Sequence, residues 1–470
     1  MEESKKSLSL FDLFSLGFGA IIGVGWSVTL NNMYINGGGP LPAILGFGLA
    51  TLAFIPIALC FAELTPAMPV AGGVIAYADR AFGDKAGFAA GWFVAMSYIG
   101  LLPWEAIAIN NILSFIFPSL RTGTLLYNLA GSDIYLNAVL VGIAVAFIVI
   151  VMNWRGIEAA AAFQTILTVV LIAGSALCVG FALAKADFAN LQPIYQSMPG
   201  KSHTTFFTGF LTMFAMAPFY YSGFDTIPQG AEDAGGVDRR LMGKVIVLSL
   251  ISAGLFYITI FLSAGLAYPW TEFVGFERPA LSNLMVVLYP GALGKGLFWL
   301  SLTATLAGLF TTWNACYIAG SRLLLGMARL KLIPPFFATL HKKYGTPYGA
   351  NLFCAVAMLA GPFLGIGVID LLTLIGSTGF AIGWGLACLS AVRLRKTEPD
   401  MPRPYKLPGG VKTAWLGAIF CGIFLVNCIV PGLPGYMGTT GMILFSLWSA
   451  LGVVFYLSTG RLRSGDNSKN

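Results

Sequence analysis

The chain alternates between long apolar runs and short polar connections, which carry most of its charge. Many runs reach roughly 18 residues or more, the length that an α-helix needs to cross the hydrocarbon core of a bilayer. The pattern therefore predicts about twelve membrane spans. Their predicted limits are 10–35, 38–65, 86–117, 134–153, 155–183, 206–230, 240–268, 293–328, 349–365, 370–394, 412–431 and 437–459.

Composition supports the same class of protein. The 470 residues are 57% hydrophobic and only 10% charged, which is far from the balance of a soluble domain. The first run is too long for the apolar region of a signal peptide, and no cleavage pattern precedes it. We predict an all-α polytopic membrane protein with one embedded domain over residues 1–470.

The basic residues predict the orientation. If the N-terminus is cytoplasmic, 22 of the 27 Lys and Arg residues fall on the cytoplasmic side. The positive-inside rule then places both termini in the cytoplasm. We expect the protein to lie in the cytoplasmic (inner) membrane. We call that end of the bundle inner and the opposite end outer. The net charge of +7 is thus directed at the cytoplasm and the lipid headgroups of the bilayer, not at nucleic acid.

Glycines interrupt two of the runs at matching places. The first interruption holds Gly19, Gly23 and Gly25, and the second holds Gly223. Lipid offers no partners for free main-chain groups, so a broken helix is tolerated only where it lines a protein cavity. A matched pair of broken helices is typical of a transporter's substrate site. We therefore predict discontinuous spans one and six with a site between them.

The first break can hold a small zwitterion. An unwound turn would leave the N–H groups of Val24 and Gly25 at the start of a half-helix, which favours a carboxylate. The carbonyls of Ile21 and Ser222 would face the same cavity and accept hydrogen bonds from an ammonium group. The alternative is close packing of small residues, because glycines in this run also match the GxxxG spacing.

Acidic residues lie within or beside the apolar runs. Glu105, which follows Trp104 in the third run, is costly to ionise there unless it is paired or hydrated. It can select an amine on the substrate, titrate with a coupled proton, or form a structural hydrogen bond. Asp225 follows the second break, where it can cap a half-helix or serve as a proton or substrate site. Glu63 and Glu232 lie near cytoplasmic ends and are expected to form gating or structural pairs.

Aromatic residues crowd the second break. They can occlude a substrate or attract a cation, and the alternative is ordinary core packing. These residues are Phe219, Tyr220, Tyr221 and Phe224.

Two hydroxyls, those of Thr311 and Thr312, lie inside the eighth run. Together with carbonyls near Gly19 and Ile22 they can form an oxygen cage for a small cation such as sodium, or they can bond back to the preceding turn. We expect no cofactor beyond such a coupling ion. The seven Cys residues lack metal-type spacing, and the two His residues lie in polar connections.

Taken together, these residues resemble the amino acid–polyamine–organocation transporters, which share the leucine-transporter-type fold. Four motifs in the first eight spans carry the likeness: Gly19–Gly25, Ala62–Gly83, Ser222–Asp233 and Gly320–Pro334. The resemblance implies two inverted repeats of five spans each, over 10–183 and 206–394. It also implies two peripheral helices over 412–459.

The resemblance also assigns roles to single residues. It places the substrate carboxylate near Val24 and Gly25. Phe219 matches an aromatic gate, and Asp225 a proton-sensing acid, of arginine–agmatine-type exchangers. Cys316 stands where those exchangers hold an aromatic residue that contacts the substrate side chain.

The residues for ion coupling leave two alternatives. Leu171 stands where proton-coupled relatives carry a Lys, which argues against a switch based on lysine. Thr311 and Thr312 match the hydroxyl ligands of sodium-coupled relatives. Sodium coupling and proton coupling through Asp225 or Glu105 both remain open.

We therefore expect a secondary active transporter, a symporter or exchanger, that moves an amino acid or related amine by alternating access. An ion channel would favour a continuous pore, and an intramembrane enzyme would need a nucleophile–base pair or a metal group. Glu105 favours a polyamine or other cationic amine over a neutral amino acid as the substrate. Whether the protein is a monomer or a homodimer is not determined by the sequence.

Overall fold

The computed structural model describes residues 9–70, 72–155, 157–201, 204–230 and 238–460. Within these residues the predicted spans are helices, and we number them one to twelve in chain order. Their bounds are Leu10–Ile21 with Gly25–Val28 and Leu30–Gly37, Pro40–Ala67, Asp84–Ile116, Leu136–Arg155, Ile157–Leu183, Phe206–Tyr221 with Phe224–Thr226 and Ile227–Gly230, Arg239–Ala267, Ala292–Arg329, Tyr348–Ala360, Ile369–Thr397, Val411–Ile429 and Gly438–Ser458.

The all-α membrane architecture is confirmed. Among the described residues, ten helices are long and apolar enough to cross a membrane. The other two predicted spans are shorter, because span six stops at its break and span nine ends in a 3₁₀ turn. Glu232 and both chain termini lie outside the described residues. The division into two repeats stays a prediction.

The connections contain elements that the apolar pattern did not predict. A short helix, Val74–Phe82, follows span two, and the helices Trp270–Phe273 and Ala280–Leu288 lie between spans seven and eight. A hairpin of the strands Leu125–Leu129 and Ser132–Tyr135 joins spans three and four. Its two-residue loop has positive φ at both positions, as the twist of a tight hairpin requires.

Small residues bring span ten against span three. A Cβ atom at Gly379 would lie 2.4 Å from the carbonyl oxygen of Phe93, and one at Gly383 would lie 2.0 Å from a methyl carbon of Val94. Ser97 of span three donates a hydrogen bond of 2.7 Å to the carbonyl of Gly376. Lipid is as apolar as the helix surfaces, so the hydrophobic effect does not drive helices together in a membrane. They associate instead through close main-chain packing and hydrogen bonds between helices.

The outermost helix is span twelve. Only 11% of the residues in its apolar stretch are buried inside the protein, against 78% for span one. Two indoles attach it to span three: Trp92 and Trp448 stack with ring centroids 4.6 Å apart, and each donates its N–H to the other's carbonyl. Span twelve thus has few buried residues, whereas span eleven packs Phe424 against both Phe54 and Phe214.

A buried carboxylate holds the inner end of the bundle together. Glu63, at the end of span two, is fully buried and makes a two-point ion pair with Arg395 of span ten. Nε of Arg403 lies 3.4 Å from the same carboxylate, and the amide of Leu407 donates to it at 2.7 Å. The predicted structural pair of Glu63 thus fixes the loop between spans ten and eleven.

We predict that Glu63→Gln destabilises the protein strongly. Removal of one partner from a buried ion pair leaves charge unpaired, with a typical cost of about 3–5 kcal/mol. The measurement is the melting temperature of purified protein in detergent. Glu398→Gln is the matched control, because Glu398 pairs with Arg80 near the surface. Equal melting temperatures for both variants would contradict the structural role of Glu63.

Candidate functional site

The first break exposes two main-chain donors. Helix Leu10–Ile21 ends before the break, and Gly25 begins the second half of span one. None of the described residues accepts a hydrogen bond from the amides of Val24 or Gly25. Helical bonding then continues, since the amide of Thr29 donates to Gly25 and that of Met33 to Thr29. Both residues line the pocket described below.

Hydroxyls from two other spans satisfy the carbonyls that this break leaves free. The Thr312 hydroxyl of span eight lies 3.0 Å from the carbonyl of Gly19 and 3.1 Å from that of Ala20. The Tyr257 hydroxyl of span seven lies 3.1 Å from the carbonyl of Ile21 and 3.2 Å from that of Tyr220, at the second break. Each hydroxyl has one proton, so each donates to one carbonyl at a time.

The second break touches the first directly. Gly223 follows the end of helix Phe206–Tyr221 and has φ +141°, which L side chains rarely adopt. A Cβ atom there would lie 2.6 Å from the amide nitrogen of Ile21 and 2.8 Å from the carbonyl carbon of Ala20. Glycine is therefore required here both for the backbone conformation and for the close approach of two main chains.

Asp225 braces the second break instead of lining the site. Its carboxylate accepts hydrogen bonds from the Tyr98 hydroxyl at 2.5 Å, the Trp384 indole at 2.9 Å and the amide of Gly223 at 3.1 Å. The expected N-cap geometry is absent, because the amide that Asp225 binds precedes it in the chain. Asp225 thus connects span six to spans three and ten, and its three donors stabilise a carboxylate.

The two breaks and spans three, seven and eight enclose a pocket of about 20 Å³. All the residues that line it are buried. A cavity of this size holds about one water, and a larger ligand requires the walls to move apart. The lining residues are Ala20, Ile21, Gly23, Val24, Gly25, Leu101, Trp104, Glu105, Phe219, Tyr220, Ser222, Tyr257 and Thr312.

Most of the candidate substrate residues meet at this pocket. Ile21, Val24, Gly25, Trp104, Glu105, Phe219 and Ser222 line it, whereas four others do not. Tyr221 turns towards span two and bonds Thr51 at 2.7 Å. Phe224 packs on Trp384 with ring centroids 4.9 Å apart. Asp225 and Cys316 are buried outside the lining.

Of the candidate cation ligands, some line the pocket and others do not. Thr312 lines the pocket and faces the carbonyl of Gly19. The Thr311 hydroxyl instead bonds back to the carbonyl of Gly308 in its own helix, at 2.9 Å. The carbonyl of Ile22 lies against Gly308, where a Cβ atom would approach its oxygen to 2.9 Å. Leu171 of span five is buried, and the side chains of that span nearest Gly19 belong to Thr168 and Gln164.

Glu105 and Thr312 both line the pocket beside Gly23. A Cβ atom at Gly23 would lie 2.7 Å from Oε1 of Glu105 and 3.1 Å from the Thr312 hydroxyl. No described residue donates a hydrogen bond to Oε2 of Glu105, although that atom is buried. An unpartnered buried carboxyl oxygen is costly, so this side chain needs a proton or a cationic partner.

Sequence reasoning did not select Leu101 or Tyr257. Leu101 looks like any other residue of an apolar run. Tyr257 lies far from both glycine breaks along the chain, and its contribution depends on the packing of span seven against them. The one available signal was a hydroxyl within a span, because such a group needs a partner that lipid cannot supply.

Two broken helices that meet at a buried pocket are typical of a helical membrane transporter. A family model described as "Amino acid permease" matches residues 8–455. The chain therefore belongs to the amino acid permease family of the amino acid–polyamine–organocation superfamily, and it is a transporter and not an enzyme.

Similar proteins that are named for different substrates align over almost the whole chain. The branched-chain amino acid permease BcaP of Bacillus subtilis is 25% identical over 469 residues, covering 98% of this chain and 94% of the relative. The methylthioribose transporter of the same species is 26% identical, with coverages of 98% and 94%. Cationic amino acid transporter 5 of Arabidopsis thaliana is 26% identical, with coverages of 98% and 77%.

We predict that Gly223→Ala separates the two breaks. A residue other than glycine at this φ costs about 1–3 kcal/mol, before the clash with Ile21 is counted. We expect a lower melting temperature and loss of substrate binding in a thermal-shift titration. Gly180→Ala is the control, since nothing lies within 4 Å of a Cβ atom at that helical position. Normal binding by Gly223→Ala would contradict the close contact of the breaks.

Proposed function

We propose that this transporter moves an amino acid or related amine across the cytoplasmic membrane by alternating access, with both termini in the cytoplasm. The observation that carries the proposal is that one buried pocket is lined both by residues with free amides and by a carboxyl group whose Oε2 has no donor among the described residues. The amides of Val24 and Gly25 suit a substrate carboxylate, and Oε2 of Glu105 suits an amine.

The main-chain acceptors supply the third point of recognition. The carbonyl of Ser222 receives no hydrogen bond from the described residues. The carbonyls of Ile21 and Tyr220 share the single proton of Tyr257, and that of Ile21 also accepts from the amide of Gly23 at 3.3 Å. When Tyr257 donates to Ile21, the carbonyl of Tyr220 is available. An α-ammonium group would satisfy these acceptors, so a zwitterion fits the donors and acceptors of the two breaks together.

Glu105 favours a substrate with an additional amine. The pocket lining also includes Leu101, Trp104, Phe219 and Tyr220, which are apolar or aromatic and supply no charge to balance a carboxylate. A cationic amino acid or a related amine would place its second positive charge there. A neutral amino acid is the alternative, and it requires Glu105 to be protonated when the substrate binds.

The test is saturable counterflow of labelled amino acids in liposomes. We expect Glu105→Gln to raise KM for cationic substrates by about tenfold or more, corresponding to about 1.4 kcal/mol, with a smaller change for neutral ones. Glu272→Gln is the control, because Glu272 is exposed and bonds Tyr268 in an outer connection. Ion current without saturable solute exchange would refute the transport proposal, and equal losses for both substrate classes would refute the role of Glu105.

We also propose that a small cation, sodium in the first instance, is bound beside Thr312. The support is the cluster of the Thr312 hydroxyl with the carbonyls of Gly19 and Ala20, at 3.0 and 3.1 Å. The cluster lies at the end of a broken helix, where carbonyl groups concentrate negative charge. In this arrangement Thr312 is the hydroxyl ligand, and Thr311 keeps its bond to Gly308.

Sodium coupling makes a separate prediction. An inward sodium gradient should increase uptake in liposomes, and Thr312→Ala should reduce that increase by about tenfold or more. The control is Thr305→Ala, a buried threonine of the same helix whose hydroxyl bonds only back to Ser301. Uptake that is unaffected by sodium but driven by a pH gradient would exclude the sodium site and favour proton coupling through Glu105.

A further inference from the structure

A charged cluster covers the outer side of the pocket. Asp370, in the first turn of span ten, accepts a hydrogen bond from Asn32 at 3.1 Å and one from Asn36 at 3.4 Å, both in span one. Nζ of Lys201, in the connection between spans five and six, lies 3.2 Å from its other oxygen. One half-buried carboxylate thus joins three separate parts of the chain.

A second cation approaches from the connection between spans seven and eight. Burial lowers the pKa of the Arg278 guanidinium, and the negative charge of Asp370 opposes that shift. The segment that carries Arg278 is held to span one, because the Asn31 amide donates to the carbonyl of Phe276 at 2.8 Å. Asp370 is therefore held by one cation and two amides, and its charge also acts on Arg278.

The cluster lies one helical turn above the roof of the pocket. Thr373 follows Asp370 by three residues on span ten and is fully buried. Its hydroxyl accepts a hydrogen bond of 3.2 Å from the indole of Trp104, which lines the pocket. Tyr220 also lines the pocket and packs edge-on to Trp104, with ring centroids 6.3 Å apart. Any shift of Asp370 along or around span ten therefore moves the roof.

The pieces that Asp370 joins must separate for a solute to reach the pocket from outside. Span one supplies the free amides, span ten supplies the roof, and the connection after span five crosses the end of span one, where the amide of Gln196 donates to Gly38. An ion pair in water-accessible surroundings contributes about 1 kcal/mol or less, so it can break and re-form readily. Such an interaction is suited to a reversible closure and not to a permanent one.

We propose that Asp370 and Lys201 form an outer gate: their ion pair holds the roof of Trp104, Thr373 and Tyr220 over the pocket, and its rupture opens the pocket to the outer side. This inference rests on the proposed transport function, because a gate has a role only if a solute passes through the protein. Its geometry and its test do not depend on which substrate is carried.

The gate is tested by cysteine accessibility. Thr29, one helical turn beyond Gly25 in span one, is buried and serves as the reporter when it is replaced as Thr29→Cys. Whole cells are treated with a membrane-impermeant maleimide, and labelling of the chain without this substitution is subtracted. The cysteine should be protected in the parent protein. Asp370→Asn or Lys201→Met should increase its labelling rate several-fold, about threefold or more for the loss of roughly 0.7 kcal/mol.

Two controls separate the gate from a general loosening of the protein. Lys201→Arg preserves the charge and should keep the reporter protected. Lys185→Met removes another lysine of an outer connection, whose ammonium lies 5.2 Å from the ring centroid of Tyr289, and should not change labelling. Melting temperatures of all variants identify any that unfold, and the two gate variants alter different segments of the chain.

The outcomes distinguish the gate from the transport function. Faster labelling in both Asp370→Asn and Lys201→Met, with protection in Lys201→Arg, supports the gate even if no labelled amino acid is transported. Unchanged labelling in both variants overturns the gate, even if saturable counterflow is measured. Equal labelling increases in Lys185→Met would also overturn it, because the effect would then not depend on Asp370.

Discussion

The structure depends on how main-chain groups freed at two helix breaks are satisfied inside a membrane. Lipid cannot hydrogen-bond them, so the protein must. Hydroxyls of Thr312 and Tyr257 cover carbonyls at both breaks, and Gly223 brings the second break against the amide of Ile21. The amides of Val24 and Gly25 have no acceptor among the described residues, and in the proposed function they bind the substrate carboxylate. The two helix breaks would thus supply both the contacts that stabilise the fold and the donors that recognise the substrate.

The spans and the breaks could be predicted from the sequence, because both depend on local signals. Apolar length sets the spans, and glycine at positions 23, 25 and 223 marks where helix is interrupted. The partners of the breaks could not be predicted in the same way. Tyr257 reaches them only through the packing of span seven, and Asp225 is turned away from the pocket by donors on spans three and ten.

Span ten contacts the outer charged cluster, the roof of the pocket, the second helix break and the inner ion pair. Asp370 lies in the outer cluster, Thr373 bonds the roof, and Gly376 packs on the ring of Phe219. Further inward, Trp384 donates to Asp225, and Arg395 pairs with Glu63. The outer cluster, the second break and the inner ion pair are therefore connected through one helix of 29 residues.

The glycines that set span ten against span three have a mechanical consequence. Gly379 and Gly383 leave no space for the two helices to slide, since Phe93 and Val94 fill the grooves. Spans three and ten should move as one rigid unit, with Glu105 and Trp104 on span three and Asp370 and Trp384 on span ten. Motion during a transport cycle would then occur in the surrounding helices. The amide hydrogens of spans three and ten should be among the slowest to exchange with deuterated solvent.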